Sequence, residues 1–172
     1  MAKILIMASD GFEQSELFTP LEKLKASGHD VHIAAPKAGT IKAWDKDDWG
    51  KTVEADLAIA DQSPEGFDAL VLPGGVINPD NLRVDDNAVA LIKAFADAGK
   101  PIAAICHAPW LLVEAGLVSG RRMTSFASIR SDIRNAGAEV VDQAVVEDRG
   151  VITSRNPDDL DDFVAAIEKA VA

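Results

Sequence analysis

The stretch Ala103-Ala104-Ile105-Cys106-His107-Ala108-Pro109-Trp110 passes from an apolar run to a helix start within a few residues, with the sole cysteine at the turn. Proline fits the first turn of a helix, where its missing N–H would have no intrahelical partner, so a helix is predicted from about Ala108. A strand that bends sharply into a helix exposes its turn residue at the carboxyl edge of a parallel sheet, where doubly wound proteins carry their sites. The positive end of the helix also favours the thiolate, the nucleophilic form of a thiol whose ordinary pKa is about 8.5. Cys106 is therefore the candidate nucleophile. The competing reading, a small buried apolar residue at a strand end, is outweighed by the segments around it.

Working outward, Lys3 to Ser9 is a continuous apolar run that stops at Asp10-Gly11, as a strand buried on both faces would. Leu17, Leu21 and Leu24 follow at helical spacing up to Gly28, and Val31 to Ala35 returns as a strand. The order repeats. Ala69–Leu72 is a strand ending in Pro73-Gly74-Gly75, Asn87–Ala98 a helix, Pro101–Ile105 a strand, and Val151–Thr153 a strand before a helix from about Pro157 to Ala170. Alternating strands and helices imply right-handed crossovers, hence a single α/β domain with a doubly wound, mostly parallel sheet and helices on both faces. Residues 36–56 break the rhythm with two short β-like pieces around Trp44 to Gly50, read as a small β excursion that lines a pocket or a subunit contact, or covers the core edge.

Several groups stand within reach of the elbow. Gly74 and Gly75 permit close approach of backbone to ligand, and the N–H groups of Gly75 and His107 are candidates for an oxyanion hole beside the sulfur. Glu13 follows the first strand at the same carboxyl edge and reads either as a carboxyl that exchanges a proton with the thiol or as an acid favoured by a helix's first turn. Glu16 is expected to be solvated. His107 adjoins the nucleophile, but spacing leaves open which way its ring points. His29 and His32 read as structural or solvated.

The composition narrows the function classes. In 172 residues, 17 Lys+Arg against 28 Asp+Glu give a net charge of −11, which disfavours nucleic acid and anionic membrane surfaces as partners. No apolar run reaches the ~20 residues of a membrane-spanning helix. A lone cysteine and the lack of a leader-like segment fit the reducing cytoplasm. Three histidines and one cysteine without ligand-like spacing argue against a metal site. No Gly-x-Gly-x-x-Gly follows the first strand, and Gly50-Lys51-Thr52 lacks the earlier glycine of a phosphate loop, so no cofactor is expected.

Taken in order, Asp10-Gly-Phe-Glu13, Leu72-Pro-Gly-Gly75, Ala104-Ile-Cys106-His107-Ala-Pro-Trp-Leu-Leu112 and Thr153-Ser-Arg-Asn-Pro-Asp-Asp-Leu160 resemble the PfpI (protease I, deglycase) branch of the ThiJ/PfpI superfamily, over nearly the whole chain. The resemblance implies a flavodoxin-like, class I glutamine amidotransferase-like fold and a homodimer, sometimes assembled into a hexamer. It implies Cys106 as nucleophile, His107 as its neighbouring histidine, Glu13 as the early buried glutamate, and Gly75 with the His107 backbone as oxyanion hole. In some members a partner-subunit glutamate orients the histidine, and Asp80 is the nearest match. Ala108 stands where glycine is frequent in the family. The resemblance implies stress-linked chemistry on reactive carbonyls, as a glyoxalase or deglycase acting on methylglyoxal, glyoxal or early glycation adducts. An intracellular cysteine peptidase is the alternative enzyme, and a redox-sensing stress protein or chaperone the alternative of another class.

Overall fold

The computed structural model describes residues 1–172. The first apolar run forms β1 (Lys3–Met7); a two-residue strand, β2 (Phe12–Glu13), then delays the first helix, α1, to Gln14–Ala26. Strand β3 (Asp30–Ala35) leads into a hairpin of β4 (Gly39–Asp45) and β5 (Asp48–Ala55), followed by β6 (Leu57–Ala58) and β7 (Ala69–Leu72). Helices α2 (Ile77–Leu82) and α3 (Asp86–Asp97), strand β8 (Ile102–Ile105) and helix α4 (Pro109–Glu114) make up the middle of the chain. The last third holds β9 (Arg122–Met123), α5 (Arg130–Asn135), β10 (Glu139–Val140), β11 (Val145–Asp148), β12 (Val151–Ser154) and α6 (Leu160–Ala170).

Seven strands form one sheet in the order β11-β12-β8-β7-β1-β3-β6, parallel throughout except for the edge strand β11. The chain winds from β1 toward β6 and then, from β7, toward the opposite edge, so the switch point falls between β1 and β7. Helices α1 and α6 pack on one face, α3, α4 and α5 on the other. Ile4, Leu5 and Ile6 are fully buried because alternate side chains meet helices on opposite faces. Each such side chain contributes about 1.5–3 kcal/mol on leaving water. Helix α3 starts sharply where the Asp85 carboxylate accepts hydrogen bonds from the Asn87 and Ala88 N–H groups.

The excursion expected near residues 36–56 is the β4–β5 hairpin, antiparallel, with β2 added parallel to β4 through Phe12–Ala43 and Glu13–Trp44. Trp44 and Trp49 face each other across the hairpin with rings 5.4 Å apart and nearly perpendicular. The hairpin thus braces the loop that follows β1, the loop that leads to the site. No helix is long and apolar enough to cross a membrane.

Candidate active site

Cys106 leaves β8 with φ at 65°, a left-handed conformation that costs a non-glycine residue about 1–3 kcal/mol unless its surroundings enforce it. They do so on both sides. The Cys106 N–H donates to the Ser154 carbonyl at the end of β12 (3.1 Å), and the Cys106 carbonyl accepts from the Phe126 N–H (2.8 Å). Helix α4 starts at Pro109, as its proline predicts, and the sulfur sits in a pit with the residue only 6% exposed.

The turn after β7 closes on this pit. A Cβ at Gly74 would lie 2.6 Å from Glu16 Oε1 and 2.7 Å from Cys106 Cβ, so only glycine lets the carboxyl, the turn and the elbow meet. Gly75 has φ at 79° and lies against the Gly11 carbonyl, where a Cβ would be 2.6 Å away. With the turn held there, the backbone N–H groups of Gly75 and His107 lie near enough to the Cys106 thiol to lower its pKa.

The carboxyl at the sulfur belongs to Glu16 and not to Glu13. Glu16 is fully buried in the first turn of α1; its Oε1 accepts from the Gly74 N–H at 3.0 Å, and its carboxyl lies near enough to Cys106 for each group to shift the other's pKa. The expectation of a solvated Glu16 is therefore corrected. Glu13 is only half-buried and lies in β2, where its carboxyl feels Asp45 and its backbone N–H donates to the Gly74 carbonyl. The physical reason is the short β2 strand: it postpones the helix, so the residue three places later becomes the one that turns under the sheet edge.

Burial dominates the electrostatics. Desolvation, then the charge on Glu13, raises the Glu16 carboxyl from 4.5 to about 8. Burial and the Glu16 carboxylate push the Cys106 thiol up, opposed by the Gly75 and His107 N–H groups. The helix-end stabilisation of the thiolate expected from sequence is thus outweighed, by burial first and by an ionised Glu16 second. Two buried anions in contact are unfavourable, so one proton is shared by the pair, and a neutral Glu16 turns from a repelling charge into a donor to the sulfur.

His107 Nδ1 lies 3.1 Å from the Cys106 sulfur, which resolves the ring direction that spacing left open. Its Nε2 faces Ser128 Oγ at 3.2 Å, and the ring stacks on Phe126 (4.6 Å) and meets the edge of Trp110 (5.2 Å). Burial lowers its pKa, so the imidazole is held neutral. Asp80 is exposed on α2, and within the chain the group at His107 Nε2 is the Ser128 hydroxyl. Sequence reasoning missed Ser128, which no linear pattern marks. His32, expected to be structural or solvated, bridges Asp30 and Asp56. No group of three or more His, Cys, Asp or Glu side chains is arranged to hold a metal ion.

Comparison with known proteins identifies the family of the chain. Residues 2–170 match the model of the DJ-1/PfpI family. A deglycase of Thermococcus kodakarensis is 46% identical over 158 residues, 92% of each chain. Protein/nucleic acid deglycase 2 of Escherichia coli is 41% identical over 162 residues, 94% of this chain and 92% of that one. Among solved structures, a two-domain protein of Anabaena variabilis with DJ-1/ThiJ/PfpI-like and ferritin-like domains superposes with a TM-score of 0.92 at 34% identity. That match covers 98% of this chain, which spans about half (48%) of the two-domain protein's length. With its flavodoxin-like sheet, its cysteine elbow and a match along almost its entire length, the chain belongs to the DJ-1/PfpI family.

Proposed function

We propose that this protein is a cofactor-independent cysteine enzyme that acts on reactive carbonyls: methylglyoxal, glyoxal and their early adducts with amines. The observation that carries this reading is the placement of one thiol against two backbone N–H donors, a buried carboxyl and a neutral imidazole. The deglycase names of the two relatives point the same way.

In this mechanism the Cys106 sulfur adds to the aldehyde carbon while Glu16 holds the proton the thiol releases. The carbonyl oxygen takes up negative charge between the Gly75 and His107 N–H groups and then receives that proton, giving a hemithioacetal. His107, neutral and beside the sulfur, takes the hydrogen of the former aldehyde carbon as a proton and returns it to the adjacent carbon, while the hydroxyl proton of the first carbon passes to the oxygen of the second. A thioester results, and water cleaves it to the hydroxy acid and the free thiol. Methylglyoxal plus water gives lactate, with oxidation of one carbon balanced by reduction of its neighbour. From an early glycation adduct the protonated amine leaves as the C–S bond forms, and the same hemithioacetal follows.

Peptide hydrolysis asks for an imidazolium held by a carboxylate to protonate the leaving amine. The hydroxyl of Ser128 at His107 Nε2 suits a neutral imidazole better, which favours the carbonyl reading. The test is lactate formation from methylglyoxal without glutathione or other added thiol. Wild type is expected to form lactate, Cys106→Ser none, and Glu16→Leu about a hundredfold less than wild type, while Glu13→Gln keeps most of the rate. A folded wild type that forms no lactate overturns the proposal.

A further inference from the structure

Asn78 is fully buried in the short helix α2, and every polar atom of its side chain is engaged. Its Oδ1 accepts from the Ser9 N–H (2.7 Å) and the Ser9 hydroxyl (3.1 Å) at the end of β1. Its Nδ2 donates to the carbonyls of Pro73 (2.9 Å) and Gly74 (3.2 Å) after β7. The Gly74 carbonyl also accepts from the Glu13 N–H (3.3 Å). This carbonyl and the Gly75 N–H belong to one planar trans peptide and point in opposite directions, so anchoring the oxygen aims the N–H.

We propose that Asn78 is a positioning residue: by holding the Gly74 carbonyl on the side of Ser9, it keeps the Gly75 N–H directed at the Cys106 sulfur and at the oxyanion that forms there. Glu13 enters the site by the same route, through its backbone N–H. Three observations argue for this over mere bracing of two loops. The clamp closes on the peptide that carries the donor, the other side of Gly74 is fixed by Glu16 Oε1, and the left-handed Gly75 is free to rotate once the carbonyl is released. The catalytic consequence rests on the carbonyl chemistry proposed above, whereas the effect on the thiol does not.

The experiment follows the rate of Cys106 alkylation by iodoacetamide against pH, with methylglyoxal turnover measured alongside. The variants are Asn78→Ala, Asn78→Leu and, as a control on the same helix, Leu82→Ala, which opens the core without touching the turn. The titratable groups facing the sulfur, Glu16 from α1 and His107 beside it, are left in place. Losing the Gly75 donor is expected to raise the alkylation midpoint by about one pH unit, and to lower kcat about 10- to 100-fold with KM little changed. Leu82→Ala loses stability and keeps its midpoint. An unchanged midpoint in a folded Asn78 variant overturns the proposal. If neither Asn78 variant folds, Ser9→Ala, which removes one hydroxyl from the clamp, decides in the same way: a smaller upward shift supports the proposal, and none overturns it. Loss of turnover in wild type as well would overturn the carbonyl chemistry alone, because the alkylation midpoint needs no substrate.

Discussion

Glu16 meets Cys106 across the Gly74 peptide: its Oε1 is anchored on the Gly74 N–H at 3.0 Å, its buried Oε2 has no hydrogen-bond partner, and its charge acts on the thiol. The anchor fixes the carboxyl without neutralising it, so the state of its proton decides what the thiol experiences. A protonated Glu16 can donate to a thiolate that the nearby Gly75 and His107 N–H groups also favour. An ionised Glu16 repels it. Nucleophilicity and the Glu16 proton are therefore two descriptions of one equilibrium.

Glu16→Gln is expected to separate that equilibrium from folding. Burial makes the folded state bind the Glu16 proton more tightly than the unfolded state, so stability declines as pH rises from 4.5 to about 8. Glutamine does not titrate. Thermal melts of the two proteins should therefore diverge in favour of the variant over that window and run parallel above it, by on the order of a few kcal/mol at most. Parallel melts throughout would mean that Glu16 carries no raised pKa.

Ser128→Ala removes the hydroxyl at His107 Nε2 while the Phe126 and Trp110 contacts remain. The ring keeps its stacking but loses its Nε2 partner, and kcat should fall about tenfold, at the low end for a positioned acid–base group. Alkylation of Cys106, which needs no proton transfer through His107, should keep its rate. A variant with full turnover would remove Ser128 from the mechanism.

Gly74→Ala tests the close approach on which the site depends. The added methyl meets Glu16 Oε1, the Ile105 carbonyl and Cys106 Cβ, all nearer than 3.0 Å, and two of these are not flexible side-chain ends. Overpacking of this kind costs about 1–3 kcal/mol. The expected result is a protein less stable by that amount with lactate formation reduced at least as far as in Glu16→Leu, as judged by denaturant melts and steady-state rates.

The sheet was legible because its central strands are apolar on both faces and its turns are punctuated by glycine and proline, as in Lys3–Met7 and Leu72-Pro73-Gly74. The elbow was legible because Pro109 marks a helix start immediately after a strand. The identity of the acid was not, because Glu13 and Glu16 lie three residues apart and the choice turns on where α1 begins. A signal was present. Glu16, Leu17, Pro20, Leu21 and Leu24 form one buried face of α1, so the helical spacing already placed Glu16 with the core. Ser128 and Asn78 reach the site from elements far along the chain, and only the folded backbone brings them in.

His32 offers a second pH-dependent contribution that the same melts must separate from that of Glu16. Hydrogen bonding to Asp56 first, then to Asp30, raises its pKa above 6.5, since the imidazolium ties the start of β3 to the segment after β5. A raised histidine pKa gives stability that is complete below about 6.5 and lost as pH climbs through the folded value. The ring is partly exposed and both carboxylates lie at the surface, so screening keeps the effect under about 1 kcal/mol. His32→Gln should therefore lower the melting temperature at pH 5.5 by more than at pH 8.5. The difference should shrink in high salt, whereas the divergence caused by the buried Glu16 should not. A His32→Gln deficit equal at both pH values would show that the ring acts by packing on Phe67 and not by its charge.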